Sequence, residues 1–447
     1  MLKILVRGRK DKAAVEKSIQ LFYPGWDIAV ESLGGVRGDK LVEKLEEINL
    51  SSFTILLSGR RDLQDFRVAL NQLAPLPPLV ALSLVDRSNV RNARLEMIAH
   101  SIDIGRAMLR GTTEWINNVY RFYFSLEGSI IKLPRDPESD NFFFFSQKYH
   151  SLPLKPDDAF VLAYKLREGL HEFYCGSERA GTARFSLTET KIHSWNNEAI
   201  CPKLDENKLI EENQKLLEIL ENKALSFIRK NVPDHVEKII VPWSGGKDST
   251  AVLVLSIKAL GKDRVIALHV DTGTEFPTSS EYIERVSRML GVQVERVYAG
   301  LREAIGSRGL PQLGERWCTG LKLDALRRGI RDILKDEKPV VIVGDRDAES
   351  KLRVRRPQLR ASKEETSLAP LKLWGGAHVQ LYLKSRGIPL NPLYEIGFYR
   401  IGCFICPSLR DWEISIMLKR IDALKLGSES LLSEFFENRY GTSSLSK

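Results

Sequence analysis

Ile239-Ile240-Val241-Pro242-Trp243-Ser244-Gly245-Gly246-Lys247-Asp248-Ser249 is an apolar run that breaks into a glycine turn, and a second apolar stretch, Ala251 to Leu260, follows it. The order is that of a strand, a phosphate-binding loop and a helix. Adjacent glycines let backbone N–H groups approach a phosphate chain, and the helix behind them offers unpaired N–H groups and the positive end of its dipole. Lys247 adds a point charge that should stand exposed in the loop, and Ser244 and Ser249 add hydroxyl donors. The spacing is not that of a Walker A loop, which places four residues between its first glycine and Gly-Lys-Ser/Thr. An ordinary glycine N-cap would need only part of this string. Six consecutive residues of these types, between a strand and a helix, favour an anion-binding loop.

Downstream, Val265 to Val270 reads as a second strand ending at Asp271-Thr272-Gly273-Thr274-Glu275-Phe276-Pro277. Apolar and helical segments then alternate over 238–243, 248–260, 265–271, 278–290, 293–299, 318–335 and 339–345. Short strands separated by helices of ten or more residues imply right-handed crossovers and a parallel sheet covered on both faces. The glycine loop, Asp271 and Gly344-Asp345-Arg346 all fall at carboxyl ends of strands, where open α/β sheets hold ligands, so they should converge on one cleft.

These strings resemble, in order, the motifs of the PP-loop ATP pyrophosphatases (the adenine nucleotide alpha-hydrolase superfamily), and specifically its phosphoadenosine phosphosulfate (PAPS) reductase branch. Beyond the loop and Asp271 to Pro277, the matching strings are Arg316-Trp317-Cys318-Thr319 with Lys322, and Gly344-Asp345-Arg346-Asp347-Ala348-Glu349-Ser350 with Arg353. Pro370-Leu371 with Trp374 and Gly402-Cys403-Phe404-Ile405-Cys406-Pro407 complete the series, which covers about residues 236 to 410. The resemblance implies ATP or PAPS as the nucleotide, cleavage of ATP between its α and β phosphates, and Mg²⁺ held with Asp248 or Asp271. It implies nucleotide binding by Ser244, Gly245, Gly246, Lys247, Asp248, Ser249, Asp271, Thr272, Gly273, Arg346 and Glu349. The catalytic roles it implies fall on Lys247, Asp248, Lys322 and Arg353.

Two departures from the branch bear on the reaction. Its reductases lose the Lys-Asp pair of the loop, whereas Gly246-Lys247-Asp248-Ser249 is intact here, which suits a bound triphosphate. Thioredoxin-linked members also carry a C-terminal Glu-Cys-Gly-Leu-His nucleophile, and this chain has no cysteine after Cys406. Cys318, Cys403 and Cys406 occupy positions that resemble the cluster ligands of adenylylsulfate reductases, with Trp317 where a fourth thiolate would stand. That pattern implies a 4Fe–4S cluster; zinc and free thiols are the alternatives, and Cys175 or Cys201 could complete a ligand set. The reading of function is ATP-dependent adenylylation of a substrate coupled to sulfur transfer, from a sulfur donor or thiol reductant, with tRNA among the candidate acceptors. A PAPS or adenylylsulfate reductase producing sulfite is the second reading, and a non-catalytic RNA-binding protein the third.

The remainder of the chain sets the frame. With 447 residues, 28% charged, 43% hydrophobic and a net charge of +9, it is long enough for two or three domains of ordinary soluble composition. No stretch reaches the ~20 apolar residues of a membrane span, and Met1 to Arg7 is too short for a signal-peptide core. Five cysteines, without a framework spacing, suggest a reduced cytoplasmic setting and no disulfides. Residues 1–125 read as a small α/β domain, with strands Lys3 to Val6, Asp27 to Val30, Phe53 to Leu57 and Leu79 to Val85. Helix Lys40 to Ile48 lies among those strands, and a long helix from Arg91 to Val119 closes the domain. Residues 126–205 read as a β-rich module with a dense aromatic core, in which Phe142 to Phe145 is a short buried strand. Residues 206–235 are a connecting helix, Glu206 to Lys230. Residues 236–447 are the nucleotide domain with a helical cap (Leu409 to Leu426, Glu429 to Phe436) and a loose tail, Gly441 to Lys447. The basic stretch Lys351 to Lys363 reads as a flexible anion-binding loop over the site.

Overall fold

The computed structural model describes residues 2–48, 50, 52–144, 152, 161–203, 205–335, 337–398, 400–426 and 430–440; the expected tail Gly441 to Lys447 lies outside them, as do Phe145, Ala159, Phe160 and Glu429. Four strands, β1 (Leu2–Val6), β2 (Ile28–Ser32), β3 (Phe53–Gly59) and β4 (Val80–Val85), alternate with helices α1 (Arg9–Phe22), α2 (Asp39–Glu47), α3 (Leu63–Gln72) and α4 (Leu95–Gly111). The strands pair in parallel in the order β2-β1-β3-β4. Alternate side chains of a strand leave on opposite faces. Ile4, Ile55 and Leu57 therefore pack with Ile98 and Ile102 of α4, whereas Leu5 and Leu56 pack with Leu41, Leu45 and Phe66 of α2 and α3.

The helix expected over Arg91 to Val119 ends at Gly111. The chain turns there into a small antiparallel sheet of β5 (Thr113–Ile116), β6 (Val119–Arg121) and β7 (Ser129–Lys132). Thr113, Trp115 and Ile116 are strand-favouring residues, and this preference overrides the apolar spacing that continues the helical pattern.

Strands β8 (Asp140–Phe144), β9 (Val161–Lys165), β10 (Leu170–Cys175), β11 (Glu178–Phe185) and β12 (Thr190–Trp195) form an antiparallel sheet in the order β12-β11-β10-β9-β8. Cys175 and Cys201, both buried, are joined in a disulfide with Cα atoms 4.3 Å apart, against the expectation of no cysteine pairing. The return of the chain after β12 brings them together, and their spacing in sequence carried no sign of it.

The connecting helix is two helices, α5 (Glu206–Glu212) and α6 (Gln214–Asn231). Asn213, fully buried, breaks it. Its side chain accepts from Phe122 N–H at 2.9 Å and donates to Tyr120 O at 2.7 Å and Leu209 O at 2.9 Å, bonding the backbone that a continuous helix would need to ignore.

The third sheet contains β13 (Ile239–Pro242), β14 (Val265–Asp271), β15 (Gln293–Tyr298), β16 (Val340–Ile342), β17 (Leu359–Ala361) and β18 (Thr366–Leu368) in the order β15-β14-β13-β16-β18-β17. Every pairing is parallel except that of edge strand β17. Helices α7 (Lys247–Leu260), α8 (Pro277–Leu290), α9 (Leu301–Arg308) and α10 (Trp317–Leu334) fill the connections, and α11 (Lys351–Arg355), α12 (Gly376–Ser385) and α13 (Pro392–Glu395) follow. The cap is α14 (Asp411–Lys419) and α15 (Ser430–Tyr440). Ile239, Val241, Val265 and Ala267 pack toward α6, α7 and α12, while Ile240, Ile266 and Leu268 pack on Ile330 and Leu334 of α10. The result is an α/β sheet covered on both faces, as the sequence implies. Lys351 to Lys363 is not a loose loop: it forms α11 and β17, because its arginines find carboxylate partners.

The units are not strung loosely together. One buried cluster runs from Ile4 and Ile102 through Phe122 and Phe143 to Leu217, Trp243 and Trp374. Edge strand β8 is covered by α12: Phe143 N–H donates to Gln380 Oε1 at 2.8 Å, and Gln380 Nε2 donates to Phe143 O at 2.9 Å. Gly375 and Gly376 permit this approach, since a Cβ on Gly376 would lie 2.7 Å from Asn141 O and one on Gly375 2.3 Å from Arg110 O.

Candidate nucleotide site

Gly245 turns the loop with φ +72°, a conformation that favours glycine, and its carbonyl accepts from Asn391 Nδ2 at 3.3 Å. The Lys247 N–H donates to the Tyr394 hydroxyl at 3.1 Å. Ser244, Gly246, Lys247, Asp248 and Ser249 line one cavity of about 610 Å³ with Gly344, Asp345, Arg346, Glu349 and Arg353. The structure brings the loop, Arg346, Glu349 and Arg353 together at this cavity. The cavity also takes Asp140, Phe142 and Lys165 from the β-rich module, and Arg316, Tyr394, Arg400 and Arg410.

Lys247 is not exposed: only 7% of it is accessible, because Tyr394 and the loop close around it. Its Nζ lies 2.7 Å from Asp248 Oδ2, Asp248 Oδ1 accepts from Arg346 Nε at 2.6 Å, and Arg346 Nη1 donates to Asp140 Oδ2 at 2.9 Å. Burial acts to deprotonate Lys247 and lowers its pKa despite Asp248. Burial alone would raise Asp248, but Arg346 and Lys247 hold it below the ordinary carboxylate range. Asp140 is likewise held low by Arg346, against its burial. The chain of alternating charge favours the ionised form of each member, against burial that opposes it.

A second shell of ion pairs fixes the segment after β16. Glu349 accepts from the Arg346 N–H at 3.0 Å and pairs with Arg353, while Arg353, Arg356 and Arg360 converge on Asp345 at 3.6, 3.8 and 3.2 Å. Fully buried Asp347 pairs with Arg106 of α4 and with Lys372 at 3.1 Å. Residues 1–125 therefore brace the segment that carries Arg346, a role that no residue string in that region announced.

Asp271, Thr272, Gly273 and Lys322 do not line the cavity. Asp271 Oδ1 accepts from the Gly273 N–H at 2.8 Å, Thr272 Oγ1 lies 3.4 Å from Cys403 Sγ, and Lys322 Nζ donates to Cys403 Sγ at 3.0 Å. They belong to a neighbouring cluster. Burial would lower the pKa of Lys322, but Cys403, with Cys406 and Cys318, outweighs it and holds the ammonium above its ordinary value. Cys318, Cys403 and Cys406 share one packing cluster, and Lys322 contacts Cys403 in it. The cluster borders the cavity, because Arg316 and Ile401, which line it, are close in sequence to Cys318 and Cys403.

Whether these residues suit the implied metal group follows from the donor set. Among the described residues no group of three or more His, Cys, Asp or Glu side chains is disposed to hold a metal ion. Cys175 and Cys201, the only other cysteines, are bonded to each other, and a lysine ammonium donates to Cys403 Sγ. The residues present do not fit a four-thiolate cluster or a zinc site.

Asp140, Phe142, Lys165, Asn391, Tyr394 and Arg410 were missed by sequence reasoning. Only Asp140 left a trace: it is an acid two positions before the buried run Phe142 to Phe144, where an unpaired charge is rare.

With the loop, the strand ends and the cavity in place, the comparison with known proteins is specific. Residues 238–409 match the family model described as the phosphoadenosine phosphosulfate reductase domain. Residues 238–409 are thus a PAPS reductase-like domain. An uncharacterized protein of Methanocaldococcus jannaschii is 33% identical over 235 residues, which cover 51% of this chain and 48% of that protein. The chain thus spans about half the length of the curated relatives it matches, a second M. jannaschii protein being covered to 50%. A phosphoadenosine 5′-phosphosulfate reductase of Shewanella oneidensis is 25% identical over 34% of this chain and 63% of its own length. A sulfate adenylyltransferase subunit 2 of Streptomyces lavendulae is 29% identical over 43% and 68% respectively. The PAPS reductase-like domain holds the whole glycine loop; the β-rich module and α4 lie outside it. Among the described residues, no helix is long and apolar enough to cross a membrane.

Proposed function

We propose that this protein is an enzyme of sulfur metabolism that uses MgATP to adenylylate an acceptor oxygen and then couples the activated acceptor to sulfur transfer. The observation that carries the reading is the pairing of Lys247 and Asp248 in an intact loop that lines one cavity together with Arg346 and Arg353. In this reading the acceptor oxygen attacks the α phosphorus, the bond to the bridging oxygen breaks, and pyrophosphate leaves with its charge offset by Lys247 and the loop N–H groups. Mg²⁺ arrives with the triphosphate, since the four carboxylates lining the cavity are each paired with arginine or lysine. A sulfur nucleophile next displaces AMP from the acceptor, with no net oxidation. In this reading Cys403, beside Lys322 and Thr272, orients the incoming sulfur nucleophile without bonding to it.

The family match and the Shewanella relative favour a second reading, a reductase that releases sulfite from PAPS or adenylylsulfate. Incubating the purified protein with MgATP or with PAPS plus a thiol separates them. Pyrophosphate and AMP from MgATP are expected; thiol-dependent sulfite from PAPS, with ATP untouched, would reverse the ranking.

A further inference from the structure

We propose that the β-rich module completes the cavity with a second anion subsite, built on Lys165 with Arg410 and Phe142, which holds a small acceptor bearing a carboxylate, sulfate or phosphate group. The inference deepens the adenylylation reading and rests on it.

Three observations carry it. First, strands β8 and β9 pair Asp140 with Lys165 and Phe142 with Ala163, so Asp140, Phe142 and Lys165 leave the same face of the sheet, and all three line the cavity. Second, cations outnumber carboxylates along this wall, although Lys165 lies in the field of Asp140, and Arg400 and Arg410 lie in that of Glu413. The cavity is lined by Lys165, Lys247, Arg316, Arg346, Arg353, Arg400 and Arg410 against the carboxylates Asp140, Asp248, Asp345 and Glu349. Those carboxylates pair with Lys247, Arg346, Arg353, Arg356 and Arg360, and none of these pairs reaches Lys165, Arg316 or Arg400. Lys165 Nζ donates to Ala348 O at 2.7 Å, which leaves donors of the ammonium for a ligand. Burial lowers its pKa to about 8, so it remains largely charged at neutral pH yet is poorly solvated, a state that an incoming anion relieves.

Third, the division of labour follows the domains. The phosphate loop belongs to the PAPS reductase-like domain, whereas Lys165 and Phe142 come from the module and Arg410 lies just past the family match. The family part grips the nucleotide and the added part faces what the nucleotide is joined to. An anionic nucleophile approaching a triphosphate is repelled by it, and cations on the far wall offset that repulsion.

The test is calorimetric titration of full-length protein with inorganic sulfate, inorganic phosphate and acetate in turn, in the presence of Mg²⁺ and α,β-methylene ATP. Saturable binding of at least one anion is expected. Lys165→Met should weaken it by about tenfold or more, the loss of one charged hydrogen bond, while weakening the ATP analogue less, and Lys165→Arg should restore it. The Arg variant and an unchanged melting curve exclude simple misfolding. Equal weakening of analogue and anion would assign Lys165 to the nucleotide and overturn the proposal. So would binding of tRNA alone, with no small anion bound. If wild-type protein fails to bind the analogue, the adenylylation reading fails by itself; Lys165-dependent anion binding without analogue would still uphold the subsite.

Discussion

Asp140 and Arg346 stand 206 positions apart in the chain and 2.9 Å apart in space, and both are almost completely buried. One comes from the edge strand of the β-rich module, the other from the end of a strand in the nucleotide sheet. Arg346 in turn holds Asp248 of the phosphate loop. The module is therefore wired into the nucleotide site by charge as well as by packing.

Removing one partner of that pair should be costly. Asp140→Asn leaves a buried guanidinium short of a counter-charge, and breaking a buried pair costs about 3 kcal/mol or more. Denaturant unfolding should report a loss of that order, with nucleotide turnover falling as Arg346 and Asp248 reorient. An unchanged midpoint would mean that the pair carries no net weight.

Lys247→Met keeps the stem that fills the loop and deletes the charge. Because Lys247 is buried against Tyr394, the methionine variant is a cleaner probe than alanine. Turnover of MgATP should fall by about a hundredfold or more, the scale for losing one preorganised charge at a developing anion. Near wild-type turnover in a folded variant would remove Lys247 from the chemistry.

Acid should weaken the protein through two buried histidines. Burial pushes His171 down to about 3 and His378 down to about 4, below their ordinary value of about 6.5. Both are neutral in the folded protein at neutral pH, so between those values the unfolded chain binds the extra protons. Stability is thus present above about pH 6.5 and is lost as pH falls toward 4, at up to about 1.4 kcal/mol per pH unit for each histidine. His171→Phe, placed among Phe142, Phe173 and Phe185, should flatten the denaturation midpoint between pH 7 and pH 5. An equally steep variant would place the acid sensitivity elsewhere.

What could be read from the chain alone was whatever is local. The loop, the strand ends and the helices of residues 236–410 follow from period and turn chemistry within a few residues of each signal. Asp140, Lys165 and Arg106 could not be found that way, because their roles are set by partners hundreds of positions away, and a charged residue looks the same in sequence whether it meets solvent or Arg346. Lys247 was misplaced for the same reason: Tyr394, which covers it, lies 147 positions on. Asn213 shows the limit at short range, since the helix pattern around it is intact and only its buried side-chain bonds break it.

The last prediction concerns the thiols. Lys322 lies beside Cys403 with its Nζ 3.0 Å from Cys403 Sγ, supplying the positive charge that a metal would otherwise supply. Protein purified anaerobically is therefore expected to carry neither stoichiometric iron and acid-labile sulfide nor zinc. Lys322→Met should leave MgATP binding intact, because Lys322 does not line the cavity, but should change the rate of alkylation of Cys403 by iodoacetamide, since it removes the group that donates to Cys403 Sγ at 3.0 Å. Mass spectrometry after timed alkylation reads both variants on the same peptide, and Cys403→Ser identifies it. Iron and sulfide near four per chain, lost in the Cys318, Cys403 or Cys406 serine variants, would restore the cluster. Alkylation unchanged by Lys322→Met would reduce the pair to packing.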